Sequence, residues 1–527
     1  MNSDSDKKTI EIMDSTLRDG EQTNGVSFLP HEKLMIAKAL LDMGVDRIEV
    51  ASARVSDGEK DAVGMICRYA ANHDLLDRIE VLGFVDGTKS VDWIKDCGCH
   101  VINLLAKGSL KHCTLQLHKT PEEHIADIKK VIHYAHDQHF IVNLYLEDWS
   151  SGMINSRDYV YQIMDALKDS GIARFLLPDT LGILNPFNTK EYIEDMISRY
   201  PGVRFDFHAH NDYNMAVGDS FAAAKAGVNG LHVTVNGMGE RCGNAPLSSI
   251  QVMLHDQLGI LTHVDESALV DVSHLVGGYS GICVAPNTPV IGDNVFTQVA
   301  GVHADGDKKA HLYSNALVPE RFGRHREFAL GKNSGKANII QNLKKLGLEL
   351  TPGQTKLVTT RITELGDKKE LVTQDDLPYI VSDVLKHNAP EDKVKLVNFM
   401  LSTSYGLKPI ASLKVKINGV NYEADHTGDG QYDAFVKAMR KIYKEKLNRT
   451  FPVLDNYQVS IPPGGHTDAL VQTAISWHYG NRSWRTRGLD ADQTEAAIKA
   501  TLKMLNLFEN DECNTDSDNP ASPGNNE

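Results

Sequence analysis

The chain has 527 residues, 41% of them hydrophobic, which is enough to bury a large core and to build more than one domain. A formal net charge of -15 and a pI near 5.8 argue against the broadly basic surface that nucleic-acid and anionic-membrane partners require, so small-molecule chemistry is expected. The 7 cysteines form no disulfide-like framework, the start MNSDSDKK has no apolar leader, and no run of about 18 apolar residues occurs, so a reducing cytoplasm is expected, with neither export nor membrane spanning.

Taken in chain order, β-like runs fall at residues 10–19, 47–52, 78–85, 100–106, 140–148, 174–180, 204–212 and 230–237, with helical patterns between them. The clearest helix is TPEEHIADIKKVIHYAHDQ. There Thr120 and Glu123 make a capping box, Pro121 suits the first helical position, and Ile125, Ile128, Ile132 and Ala135 share one apolar face. Roughly eight strand–helix units in about 260 residues predict an α/β fold of the TIM (β/α)8 type over residues 1–275, in preference to an open doubly wound sheet. Beyond the barrel, residues 276–330 read as a connecting subdomain and 331–392 as a helical one. Residues 393–509 read as a separate α/β domain, with strands in LKPIASLKVKING and NYQVSIPPGG and helices in DAFVKAMRKIYKE and DQTEAAIKATLKMLN. Residues 510–527 are polar and Pro/Gly-bearing, the composition of a disordered tail.

A barrel carries its chemistry at the C-terminal ends of its strands, and polar residues cluster there. Strand one ends in Arg18-Asp19, strand five in Glu147-Asp148, strand six in Asp179-Thr180 and strand seven in His208 and His210; Asn236, Glu240 and Asn244 follow strand eight. In DFHAHNDYN, period 2 puts both imidazoles on one face. With Asp19 across the mouth they make an O,N,N set with open positions, suited to a catalytic divalent ion such as Zn, Mn or Mg. A lone histidine at a strand end is ordinarily just hydrogen-bonded; the matching aspartate tips the balance. The glycines of NGMGERCGN, at 237, 239 and 243, do not have G-x-G-x-x-G spacing and follow the eighth strand, so a nucleotide-binding Rossmann reading is weak, and a tight turn before a helix is the plain alternative.

STLRDGEQ, PDTLG, HAHND and NGMGERCGNAPL resemble the signatures of the α-isopropylmalate, homocitrate and citramalate synthases, metal-dependent enzymes built on barrels. FTQVAGVHADGDKKAHLY and IPPGGHTDALV extend the resemblance over nearly everything but the tails. It implies a metal held by Asp19, His208, His210 and Asn244, Arg18 facing a keto oxygen, and Thr180 on a substrate carboxylate. It further implies Glu147, assisted by His303 and Tyr313, activating the methyl of acetyl-CoA, and Asn236, Gly237, Gly239 and Glu240 approaching that co-substrate, with Arg241 helping to order the loop. Structural roles stand beside these: a salt bridge for Arg18, a helix cap for Thr180. His311 departs from the pattern, standing where related enzymes tend to have Asn.

The resemblance also implies a homodimer, in which the His303 segment reaches a neighbouring barrel. It implies a C-terminal domain that binds an end-product amino acid, isoleucine or leucine, around Tyr457, Ile461, Thr467 and Val471; a purely dimerising module is the alternative. The residues expected around the substrate, Leu82, Phe84, Leu105 and Tyr145, are large and leave a small cavity, which favours pyruvate over 2-oxoisovalerate. Isopropylmalate synthases tend to have Ser at the position matching Tyr145. The expected reaction is a Claisen-type condensation of acetyl-CoA with pyruvate to citramalate and CoA, on a route to isoleucine. The alternatives are 2-isopropylmalate synthesis on a route to leucine, and a metal-dependent C–C lyase, which would usually lack the His303 segment and the C-terminal domain.

Overall fold

The computed structural model describes residues 9–298, 312, 315–332, 334–345, 348, 350–367, 372, 377, 380–381, 384, 393–460, 471–480 and 482–515. They fall into two compact units, the first running to Thr297 with a return that ends at Glu327, the second from Phe328 onward.

The first unit is a closed barrel of eight strands in sequence order: β1 Glu11–Asp14, β2 Arg47–Ser52, β3 Ile79–Phe84, β4 Val101–Lys107, β5 Ile141–Glu147, β6 Arg174–Asp179, β7 Phe205–Ala209 and β8 Gly230–Val233. Neighbours are parallel, and β1 pairs with β8 from Glu11↔Gly230 to Asp14↔Val233 to close the ring. The surrounding helices include α1 Pro30–Asp42, α2 Asp57–Ala71, α3 Lys89–Asp96, α4 Pro121–Asp137, α5 Arg157–Leu167, α6 Pro186–Arg199, α7 Ala216–Ala226 and α8 Leu247–Leu258. Their starts follow local chemistry. Thr120 and Glu123 form the expected capping box on α4, with Pro121 in its first turn, and the Asn185 side chain accepts from the amides of Phe187 and Asn188 to start α6.

Strand parity sorts the residues onto two faces. Ile48, Val50, Val81, Leu104, Leu144, Leu177, Phe207 and Leu231 face outward and join the helices in one large apolar shell. The alternate positions face the axis, where bonds cross between strands that are not neighbours. Arg47 on β2 reaches Asp206 on β7, and Arg174 on β6 reaches Glu11 on β1. The interior is therefore largely a polar column: Arg47 also holds Glu11 (3.1 Å) and Glu80 (2.9 Å), while Asn103 donates to Glu49 and Glu80 at 2.9 Å each. Near the C-terminal end the column gives way to an apolar group of Leu82, Tyr145, Leu176 and Leu105.

Three strands end three or more residues short of the sequence reading. β1 stops at Asp14, not Asp19, because the Ser15 carbonyl accepts the amides of Arg18, Asp19 and Gly20 (3.2, 2.8 and 3.0 Å) and folds the chain into a turn. β8 stops at Val233, and a short 3-10 turn carries Asn236 at φ 59°. His210 lies just past β7, in a single bridge with Asn244.

In the second unit, two three-stranded antiparallel sheets, Val394–Ser402/Ile410–Ile417/Val420–Thr427 and Val453–Ser460/Val471–Tyr479/Arg482–Asp490, accompany helices Gln431–Glu445 and Gln493–Thr515. Phe435, Met439, Tyr443, Trp477, Met504 and Phe508 lie in their shared core. The last helix includes residues 511–515, which the sequence reading assigned to the tail. Helices Lys336–Lys345 and Pro352–Asp367 pack through Ile339, Leu343, Val358 and Ile362. Among the described residues no helix is long and apolar enough to cross a membrane.

Candidate active site

The turn after β1 is pinned twice. Asp14 accepts from the Thr16 amide (2.8 Å), and the Thr16 hydroxyl accepts from the amide of Val235 after β8 (2.8 Å). Arg18 and Asp19 are thereby set at the C-terminal rim, where Arg18 donates to Asp19 (2.9 Å) and to the inward-facing Glu49 (2.6 Å). Burial works against the charge on Arg18, but Glu49 and Asp19 outweigh it and hold the guanidinium protonated. Burial likewise pushes the Asp19 carboxyl up, yet Arg18, His208 and His210 hold it well below the usual carboxylate range.

His208, on β7, and His210, just beyond it, aim their Nε2 atoms at Asp19 Oδ2, at 3.5 and 3.8 Å. All three residues are buried, and their ligand atoms lie within 4.8 Å of one another. Burial, then the neighbouring His208, lowers His210 to about 4, so its ring is neutral at physiological pH. Asn244 donates its amide N–H to Asp19 Oδ1 and to the Met238 carbonyl, both at 3.0 Å, while its Oδ1 is buried with no protein partner. Gly239 makes this approach possible: at its φ of 156°, a Cβ would sit 2.2 Å from Asn244 Nδ2. Both imidazole-to-carboxylate separations exceed those of good hydrogen bonds; the first lies at the upper end, and the second just beyond, the roughly 3 to 3.5 Å between donors that share one ion at about 2.1 Å. Asp19, His208 and His210 form a three-residue donor set that fits a divalent cation, and Asn244, bonded to Asp19, carries an unpartnered amide oxygen.

Beside this group lies a cavity of about 260 Å³. Arg18, Asp19, His208, His210, Leu82, Phe84, Leu105, Tyr145, Glu147, Thr180 and Glu240 all line it, together with Gln22, Ser52 and Pro178. Ser52 joins the wall because a bulge between Glu49 and Ala51 shifts the register of β2 against β3. The Thr180 hydroxyl oxygen accepts from the Asp148 amide (2.9 Å), and its O–H proton is left for another acceptor; the cap of α6 is Asn185, so the helix-cap role falls to another residue. Arg241 ties three rim loops together through Asp212 (2.8 and 2.9 Å), Glu240 (3.1 Å) and the Thr180 carbonyl (2.8 Å).

Other expected site residues do not line this cavity or lie outside the described residues. The Asn236 side chain accepts from the Ser273 hydroxyl (2.6 Å) and donates to the Ser273 carbonyl (3.0 Å), which ties it to the helix Leu269–Ser280. Gly237 packs by Pro246 at the base of the same loop. Tyr457 lies opposite Ile475 with its ring 5.3 Å from that of Tyr432, and Val471 opens the next strand, well out of register with Tyr457. His303, His311, Tyr313, Ile461 and Thr467 lie outside the described residues.

Three residues absent from the sequence reading stand against the site. Glu49 holds Arg18; Lys107, opposite Glu147 in register, forms an ion pair with it; and His232 meets the Tyr145 hydroxyl at 3.1 Å. Inward parity at strand ends could have pointed to Lys107; the Glu49 contact depends on the turn after the neighbouring β1, and the His232 contact on the approach of β8 to β5 across the barrel.

Fold and site together define the class: a (β/α)8-barrel enzyme, and the family model for HMGL-like proteins matches residues 9–276. The post-HMGL domain-like model of homocitrate synthase matches residues 290–370, and the LeuA allosteric (dimerisation) domain residues 371–509. The chain is 32% identical to the (R)-citramalate synthase of Methanocaldococcus jannaschii, over 95% of this chain and 100% of that protein. It is 34% identical to a putative (R)-citramalate synthase of Methanopyrus kandleri, over 88% of this chain and 89% of that protein. It is also 34% identical to the 2-isopropylmalate synthase of Methanocaldococcus jannaschii, over 94% of each. The chain belongs to this family of citramalate and 2-isopropylmalate synthases, condensing enzymes of the acyltransferase type.

Proposed function

We propose that this enzyme condenses acetyl-CoA with pyruvate to give citramalate and CoA, using a divalent metal held by Asp19, His208, His210 and Asn244. What supports the choice of pyruvate is the cavity wall: the large side chains of Leu82, Phe84, Leu105 and Tyr145 line it and narrow the room for a substrate side chain. Bound there, Mn, Mg or Zn would supply Lewis-acid polarisation of the 2-oxo acid.

The chain's own residues then have separable tasks. Thr180 donates its free O–H to the substrate carboxylate, since its oxygen is already engaged by the Asp148 amide. Glu147 takes a proton from the acetyl methyl, held at the rim by Lys107. The resulting carbon nucleophile adds to the keto carbon, and Arg18, fixed by Glu49 and Asp19, offsets the charge that develops on the keto oxygen. That oxygen then gains a proton, and water cleaves the thioester, releasing CoA. His303 and Tyr313 are the residues assigned to assist proton transfer, and the loop of Asn236, Gly237, Gly239 and Glu240 to approach acetyl-CoA. Residues 393–509 act as a dimerising domain that binds isoleucine as end-product effector, a reading supported by the match to the LeuA allosteric (dimerisation) domain.

Purified enzyme supplied with metal, acetyl-CoA and one 2-oxo acid at a time tests the reading by release of free CoA and by NMR of the product. Pyruvate should be turned over in preference to 2-oxobutanoate and 2-oxoisovalerate. A preference for 2-oxoisovalerate would make it a 2-isopropylmalate synthase, and cleavage of a hydroxyacyl-CoA without condensation would make it a lyase.

A further inference from the structure

Tyr145 forms part of the cavity wall, yet its hydroxyl lies in the barrel interior; the residue is 2% exposed. Its apolar neighbours Leu82, Leu105 and Leu176 offer that hydroxyl no acceptor. The partner comes from across the barrel: His232 Nδ1, on β8, lies 3.1 Å from the Tyr145 oxygen, and the two rings meet edge-on at 5.7 Å. His232 Nε2 in turn faces Asp206 Oδ2 at 3.6 Å, and Asp206 is held by Arg47. The carboxylate favours the tautomer with its proton on Nε2, which leaves Nδ1 to accept from the tyrosine.

We infer that His232 is a positioning residue that sets substrate size: by accepting the Tyr145 hydroxyl it locks the aromatic ring against the cavity and thereby excludes 2-oxo acids with side chains larger than methyl. The inference rests on the pyruvate reading above and deepens it. Without that bond nothing fixes the ring in place, so the wall yields to a larger side chain. Parity alone could not reveal this, because β5 and β8 are not adjacent in the sheet.

The test is the ratio of kcat/KM for 2-oxobutanoate to that for pyruvate, measured by CoA release in the metal-loaded full-length enzyme. His232→Leu should raise the ratio about tenfold, the discrimination that one methylene supplies in an apolar pocket. His232→Asn, which can present an amide oxygen near the Nδ1 position, should keep the ratio near wild type. Tyr145→Phe should also raise it, and combining Tyr145→Phe with His232→Leu should add nothing further, because both remove the same bond. An unchanged ratio in His232→Leu, with both rates falling together, overturns the inference. Should His232→Leu fail to fold, Tyr145→Phe decides: it makes the same cut from the other side, and an unchanged ratio is equally fatal. Failure of the underlying reading is seen in the unaltered enzyme, which would release no CoA with either acid or would prefer 2-oxoisovalerate; failure of the positioning role appears only in the variants.

Discussion

Truncating Leu105 to Ala should open the cavity to a branched substrate by a calculable amount. Leu105 lies on β4, next to Tyr145 in register and beside Phe84 on β3, and its side chain faces the cavity. The change removes three carbons from the wall, and 2-oxoisovalerate carries two more carbons than pyruvate. Housing those two at about 0.8 kcal/mol per carbon is worth about 1.6 kcal/mol, or roughly fifteenfold in the ratio of kcat/KM for 2-oxoisovalerate to that for pyruvate. Because Leu105 is only half-buried, the stability cost should lie near the lower end of the range for Leu→Ala, about 2 kcal/mol. Both specificity constants come from CoA release, and a thermal melt checks that the barrel is intact. A correctly folded variant whose ratio stays within twofold of wild type would refute the assignment of this wall to the 2-oxo acid side chain.

Other residues yield independent expectations. Asp19→Asn should lose bound metal on dialysis, as measured by elemental analysis, and CoA release should fall with it; full turnover in metal-free buffer would rule out the ligand role. Glu147→Gln should lower turnover by about 10² to 10⁴ while pyruvate still binds in calorimetry, and a near-normal rate would remove Glu147 as the base. Asp14 probes pH dependence. Burial raises its carboxyl from 3.8 to about 7, so between those values the folded chain keeps a proton that the unfolded chain has released, and stability falls as pH rises through that window. Asp14→Asn should abolish that fall and stabilise the enzyme at pH 8 by up to about 4 kcal/mol; denaturant melts at pH 4 and pH 8 with an unchanged difference between them would show the carboxyl is ionised when folded.

Much of this molecule was legible in its sequence because barrel strands repeat one local pattern. The β/α alternation located all eight strands, and strand-end chemistry collected Asp19, His208, His210, Glu147 and Thr180 before any contact was visible. Turns read less well. Ser15, Thr16 and Leu17 continue a strand-like alternation, and only the three-amide grip of the Ser15 carbonyl ends β1 early. The polar axis was not legible: Arg47, Glu80, Asn103 and Asp206 each look misplaced in a buried strand until their partners on other strands are known. In the second unit the strands Val394–Ser402, Val420–Thr427, Val471–Tyr479 and Arg482–Asp490 escaped notice. Several expose many of their side chains, so apolar periodicity is weak there, and pairing with a neighbour defines them instead.

Arg47 ties closure of the ring to strand register. A stave seated one residue out of step would thrust that guanidinium among the aliphatic side chains outside the ring and strand Glu80 and Asp206 without a counter-ion. The Arg47–Asp206 pair, by contrast with those to Glu11 and Glu80, forms only once β2 and β7 face one another inside the ring. A fragment ending before β7 keeps the Arg47 bonds to Glu11 and Glu80 and should lose the one that spans the ring.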